Sequence, residues 1–232
     1  MLLFKNLLIR KMPLFLAAVM FSLSAVAVDF NQVQRSANQG DSDAQFNLGV
    51  IYGKGQGVRQ DYAKAAEWFE KAANQGEISA QFVLGAMYND GTGVPQNYTK
   101  AAEWYQKAAN QGNASAQFKL GLIYSKGEGV RQDYDKAVEW FKKAANQENV
   151  SAQFVLGAMY YQAKGVRQDY AKAAEWFEKA ANQGNDAAQF ILGSMYYHGI
   201  GVRKNMSIAK KWYGKACDIG NQEGCDGYRI LN

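Results

Sequence analysis

A single histidine, two cysteines and one serine–lysine pair are the groups of this 232-residue chain that could carry catalytic or redox chemistry. His198 could act as a general base, but acid–base work needs a second, positioned group. At 36-residue intervals its place is taken by Lys54, Asp90, Lys126 and Gln162, a freely varying series. Ser207-Ile208-Ala209-Lys210 has the S-x-x-K spacing of penicillin-recognising enzymes, without an accompanying S-D-N or K-T-G. Ser207 also falls at a helix start, where a capping residue is expected. One His and two Cys are too few for a metal site built on several such ligands, so no metal and no cofactor are expected. The sequons at Asn97, Asn113, Asn149 and Asn205 have meaning only in a eukaryotic secretory pathway, and in an Asn-rich repeat they read as accidental.

The elements that position these groups follow from three features. Residues 1–27 carry Lys5, Arg10 and Lys11 and no acid, then an apolar run from Met12 to Leu23, then Ser24-Ala25-Val26-Ala27. This is the pattern of a signal peptide cleaved after Ala27. The run is short for a spanning helix of ~20 residues, so no integral membrane segment is expected after cleavage. The formal charge of +5 suggests an acidic partner, but 28–232 keeps 23 Lys and Arg against 21 Asp and Glu. These interleave as on a solvated face, which argues against nucleic acid.

The second feature is a repeat. Ala-Gln-Phe-x-Leu-Gly begins at Ala44, Ala80, Ala116, Ala152 and Ala188, and all five Trp (68, 104, 140, 176 and 212) share one register. The expected organisation is a half-repeat cap at 28–43, copies at 44–79, 80–115, 116–151, 152–187 and 188–223, and a truncated sixth at 224–232. Each copy reads as two helices. The first runs from about Asp43 to Gly53 with Ala44, Leu48, Ile51 and Tyr52 on one face. The second carries Ala65, Trp68, Phe69, Ala72 and Ala73 as one apolar stripe, with Asp61 as its cap and Gly76 as a left-handed stop. Gly49 and its equivalents sit inside the first helix, where Gly costs ~1 kcal/mol relative to Ala. Close approach of a neighbouring helix, with a large Trp or Tyr beside the glycine, is the expected use. One helix pair cannot bury both stripes, so the copies must stack into an all-α, right-handed α-solenoid.

The pattern Ala44…Leu48-Gly49…Tyr52…Gly55-x-Gly57-Val58…Asp61…Lys64-Ala65…Trp68-Phe69…Lys71-Ala72-Ala73…Gly76 resembles the Sel-one-like repeat, a relative of the tetratricopeptide repeat. The match covers 29–232. Departures are Pro95 for Arg, Ala163 for the first loop Gly, Glu148 for the helix-stop Gly, and Asn205-Met206 for Asp-Tyr; Glu148 is expected to loosen its turn. The resemblance implies helix-turn-helix superhelices that scaffold protein complexes, in bacteria often at the envelope, with no shared active site. Cys217 and Cys225, seven residues apart, resemble the bridge of the Helicobacter cysteine-rich proteins, which implies a disulfide; two buried free thiols are the alternative. An exported compartment permits the bond.

The third feature is Phe46, with Phe82, Phe118, Phe154 and Phe190. At 100° per residue it lies about 160° from Leu48, outside the expected intra-pair core. By resemblance to tetratricopeptide arrays this face lines a concave surface. The expectation is an aromatic ladder edged by Asn89, Tyr161 and Tyr197 that holds a protein or peptide segment; packing of the Phe rings between adjacent first helices is the other reading. The function expected is a periplasmic or secreted binding scaffold. The alternatives are a β-lactamase or penicillin-binding activity, as described for some Helicobacter cysteine-rich proteins, and a secreted modulator of host proteins.

Overall fold

The computed structural model describes residues 30–231; the expected leader, 1–27, and its cleavage point lie outside the described residues. Among the described residues the regular structure is entirely helical. A lone second helix, α1 (Phe30–Asn38), is followed by alternating first and second helices: α2 (Ser42–Lys54) paired with α3 (Tyr62–Asn74), then α4 (Ile78–Asp90) and α5 (Tyr98–Asn110), then α6 (Ala114–Lys126) paired with α7 (Tyr134–Asn146), α8 (Val150–Gln162) with α9 (Tyr170–Asn182), and α10 (Asp186–His198) with α11 (Met206–Asp218). A lone first helix, α12 (Gln222–Ile230), ends the series. This is the all-α class of solenoid-type helix-turn-helix repeats expected from the sequence. The chain divides into two compact units, 30–87 with 91–95 and 88–90 with 96–231.

Helix boundaries follow local rules. Asp61, Asn97, Asp133, Asp169 and Asn205 each precede a second helix and accept a hydrogen bond from the backbone N–H three residues on, satisfying an orphan donor of the first turn. Asn113 and Asn149 do the same for first helices. All four sequon asparagines are therefore helix caps, which accounts for Asn recurring there. Ala163 and Glu148 adopt φ of 57° and 63°, the left-handed conformation that glycine takes in the other copies. The turn at Glu148 is not loosened: its N–H donates to Ala145 and that of Asn149 to Ala144, both at 3.1 Å, as Gly184 and Asn185 do one repeat later. The departure is absorbed as backbone strain of about 1 kcal/mol.

Second helices are amphipathic as read: Ala65, Ala66, Phe69, Ala72 and Ala73 are buried, while Glu67, Glu70 and Lys71 are exposed. First helices are not. In α2 the buried set is Ala44, Gln45, Leu48, Gly49, Val50, Ile51 and Gly53, most of the circumference. A helix apolar nearly all round is one packed on two sides. Ala44 and Leu48 pack with Ala37 and Val33 of α1, and Phe46 and Val50 pack with Ala65, Ala66 and Phe69 of α3. The glycine notch is filled from its own pair, but not by tryptophan. A Cβ on Gly49 would lie 2.7 Å from the Phe69 ring, one on Gly157 2.8 Å from Phe177, and one on Gly193 2.7 Å from Tyr213. The Trp side chains are instead half-buried or buried under lysines one turn on, with Lys71 Nζ 3.7 Å from the Trp68 ring centre and Lys179 Nζ 3.9 Å from that of Trp176.

The Gln of Ala-Gln-Phe is buried in every copy. Gln153 Nε2 donates to Ala145 O, a carbonyl at the end of the preceding second helix, and Gln153 Oε1 accepts from Gln183 Nε2 at 2.9 Å. Gln117 with Gln147, and Gln45 with Gln75, repeat the arrangement. In the fifth copy Ile219 replaces the donor glutamine, and Gln189 Oε1 is left buried without a partner among the described residues. Ile219→Gln is expected to stabilise the chain by about 1 kcal/mol, a rise in melting temperature of about 2–4 °C. An unchanged or lower melting temperature by circular dichroism would refute the assignment. Beside this position Cys217 and Cys225 form a disulfide joining α11 to α12, with Cα atoms 4.4 Å apart.

Candidate functional site

The expected aromatic ladder is partly core. Phe46 lies 5.5 Å from Phe69, Phe118 5.7 Å from Phe141, Phe154 5.7 Å from Phe177 and Phe190 5.8 Å from Tyr213, each the second helix of its own pair. Phe82 is buried, and the other four are half-buried. The reading that placed Phe46 outside the intra-pair core is corrected. It assumed one buried face, whereas Phe46 shares with Gly49 and Gly53 the face that receives the second helix.

The sector left open lies further round. Positions equivalent to 43, 47 and 54 sit about 60–100° from Phe46 on the wheel, with position 50 between them. In the second unit these are Lys119 and Leu122 on α6, Val155 and Ala158 on α8, and Ile191 and Ser194 on α10, all half-buried. Leu122, Val155, Ala158 and Ile191, together with Phe118 and Phe154, pack against the core of that unit from its partly exposed side. Position 47 was legible as a variable column, Asn47, Val83, Lys119, Val155 and Ile191. Its exposure was not, because that depends on which faces the neighbouring helices cover.

The edging residues stand at the loop ends of first helices, Asn89 on α4, Tyr161 on α8 and Tyr197 on α10. Tyr161 meets Tyr170 edge-on at 5.0 Å, and Tyr197 meets His198 at 4.8 Å. Asn89 Nδ2 donates to Asp90 Oδ1 at 2.7 Å. Lys119 carries the electrostatic signature of this face: burial of its amine pulls it below the ordinary lysine range, against the opposing attraction of Asp90. Burial pushes Tyr213 up, while a hydrogen bond with Ser194 pulls it down.

The reactive groups do not converge. His198 is exposed at the end of α10, and Ser207 is exposed on the first turn of α11. Lys210 Nζ lies 5.4 Å from the Tyr228 ring centre. Among the described residues no group of three or more His, Cys, Asp or Glu could hold a metal ion, and no helix is long and apolar enough to cross a membrane.

Comparison with known proteins agrees with this architecture. The Sel1 repeat pattern matches residues 42–77, 78–113, 114–149, 150–185 and 186–221, two residues ahead of the boundaries set on Ala44 and with the same period. A protective antigen with an SLR fold from uropathogenic Escherichia coli is 40% identical over 88% of this chain, with a TM-score of 0.85; the match spans 44% of that protein's chain, less than half its length. A Sel1 repeat protein from Oxalobacter formigenes is 31% identical, over 84% of this chain and 86% of that one, with a TM-score of 0.76. Helicobacter pylori cysteine rich protein B is 29% identical over 55% of this chain and 91% of that one, with a TM-score of 0.44. No curated protein matches. Five consecutive matches in one register, on helix pairs of this geometry, mean that the chain belongs to the Sel1 repeat family, whose members generally mediate protein–protein interaction.

Proposed function

We propose that the protein is an exported scaffold of the bacterial envelope that binds a segment of another protein on the open face of α6, α8 and α10. The observation that carries this reading is the row of half-buried apolar side chains left uncovered there: Leu122, Val155 and Ile191, with the edges of Phe118, Phe154 and Phe190 beneath. Repeats bury their own stripes against one another, so an apolar row that no repeat covers is available to a partner. Anchors recurring on successive helices suit a helical or extended segment, with Tyr161 and Tyr197 as aromatic contacts at the edge. In the first unit Phe46 and Phe82 hold the corresponding positions, while Asn89, near the end of α4, belongs to the second. The leader-like residues 1–27 and the disulfide support an oxidising, periplasmic or extracellular location. The E. coli neighbour's description as a protective antigen supports exposure to a host.

The test is a tagged full-length chain expressed with its leader in a bacterium, compared with Val155→Arg/Ile191→Arg. The expected result is N-terminal sequence beginning Val28-Asp29-Phe30, one protein retained by the wild type, and retention lowered at least tenfold by the double variant with helicity unchanged. Equal retention by both chains would remove this face from the interaction.

A further inference from the structure

We propose that the fifth repeat carries a second binding site, for an acidic peptide segment, centred on Arg203 and Lys204. It rests on the protein-interaction reading but not on the first-helix face. The loop between the helices of a pair forms a crevice in the first, fourth and fifth copies. In two of them its charge is internally balanced beside one arginine. Asp61 pairs with Lys64 at 3.9 Å next to Arg59, and Asp169 pairs with Lys172 at 3.3 Å next to Arg167.

The fifth crevice, lined by Tyr196, Val202, Arg203, Lys204, Asn205 and Ile208, departs at three positions. Lys204 replaces a glutamine, Asn205 replaces the capping aspartate and Ile208 replaces its lysine partner. Helix capping survives, since Asn205 Oδ1 accepts from Ile208 N at 3.0 Å. The changes therefore leave the fold of the loop intact while removing its carboxylate. Arg203 and Lys204 are exposed and form no ion pair among the described residues.

The surroundings reinforce the departure. Residues 199–217 hold five cations, Arg203, Lys204, Lys210, Lys211 and Lys215, and no acid. The equivalent stretch of the fourth copy, 163–181, holds four cations and three acids. The positive charge of 28–232 is thus concentrated in 199–217, and the rest of that span carries 18 cations against 21 acids. Such a field attracts a short acidic segment but repels the remainder of a long polyanion, which disfavours a nucleic acid or an anionic membrane. The Arg203 guanidinium can take a carboxylate through two parallel N–H donors, Lys204 adds a second charge, and Val202 and Ile208 offer an apolar wall to the neighbouring side chain.

The experiment uses the oxidised chain and a fluorescent octapeptide of alternating Glu and Leu, read by anisotropy at about 50 and 200 mM salt. Wild type is expected to bind, more weakly at high salt. Arg203→Glu/Lys204→Glu should bind at least about tenfold more weakly, and Lys142→Glu/Lys143→Glu on α7, with the same charge change, within about twofold of wild type. Arg203→Gln/Lys204→Gln, expected to fall between, serves if the reversed pair lowers helicity. Val155→Arg/Ile191→Arg should leave peptide affinity unchanged, which separates this site from the first. Absence of binding by wild type, equal loss in both charge reversals, or loss in the Val155/Ile191 variant would overturn the proposal. So would tighter binding of an oligothymidylate that is lost with Arg203 and Lys204, which would assign the patch to nucleic acid.

Discussion

Gly165→Ala is expected to destabilise the protein by at least about 4 kcal/mol, against about 1–2 kcal/mol for Gly57→Ala, although both occupy the same repeat position. Both have positive φ, 64° and 71°, so each replacement forces an L-residue into the left-handed region. There the similarity ends. A Cβ on Gly57 meets nothing within 4 Å, whereas on Gly165 it would lie 2.4 Å from the carbonyl oxygen and 2.6 Å from the carbonyl carbon of Tyr134, at the start of α7. Backbone in a capped helical turn cannot yield by rotating a side chain, so the loop between α8 and α9 must lift away from the preceding pair. Gly129 meets Tyr98 and Thr99 in the same way, and there Thr99 Oγ1 donates to the Gly129 carbonyl at 3.1 Å. These contacts set the spacing of successive pairs, and in a repeat array such nearest-neighbour terms hold the copies together. Urea denaturation of the two variants decides the matter; equal losses would mean that φ alone selects glycine here.

Phe177→Ala is expected to cost about 3–5 kcal/mol, the range for a fully buried aromatic. The ring is completely buried, fills the notch at Gly157 and meets the Phe154 ring at a tilt of 55°. Phe154→Ala should cost roughly half as much, because one edge of that ring is already open. Gly157→Ala tests the notch from the other side. Its helix propensity would favour alanine by ~1 kcal/mol, yet a methyl 2.8 Å from the ring is overpacked by about 2–3 kcal/mol, so the net sign is destabilising. Combining Gly157→Ala with Phe177→Leu should recover part of the sum, since a smaller side chain leaves room for the methyl. Additive losses in calorimetric unfolding would show that the glycine serves some other purpose.

The elements were legible because their causes are local. Caps such as Asp61, the apolar stripe of the second helix and the stop at Gly76 lie within one or two turns of the residues they act on. The glycine notch was legible as a need for close approach, but the ring that meets it was not. Trp68 and Phe69 are adjacent in the stripe, and only the crossing of α2 and α3 brings Phe69 to Gly49 while Trp68 turns under Lys71. The glutamine network is not legible in the sequence for a related reason. Gln45 and Gln75 are 30 residues apart, and neither type signals burial until two helices converge on them.

By itself, the sequence determined the 36-residue period, the pairing of helices, their ends and the all-α class, since spacing along the chain sets which side chains share a face. The tertiary structure alone decided which of those faces remains open. A first helix is covered on one side by the preceding second helix and on the other by its own, and the two together take Leu48, Phe46 and Val50 and leave the column of Asn47, Val155 and Ile191 half-exposed. Burial is a property of what arrives from elsewhere in the chain, and a helical wheel records only what each helix presents to it.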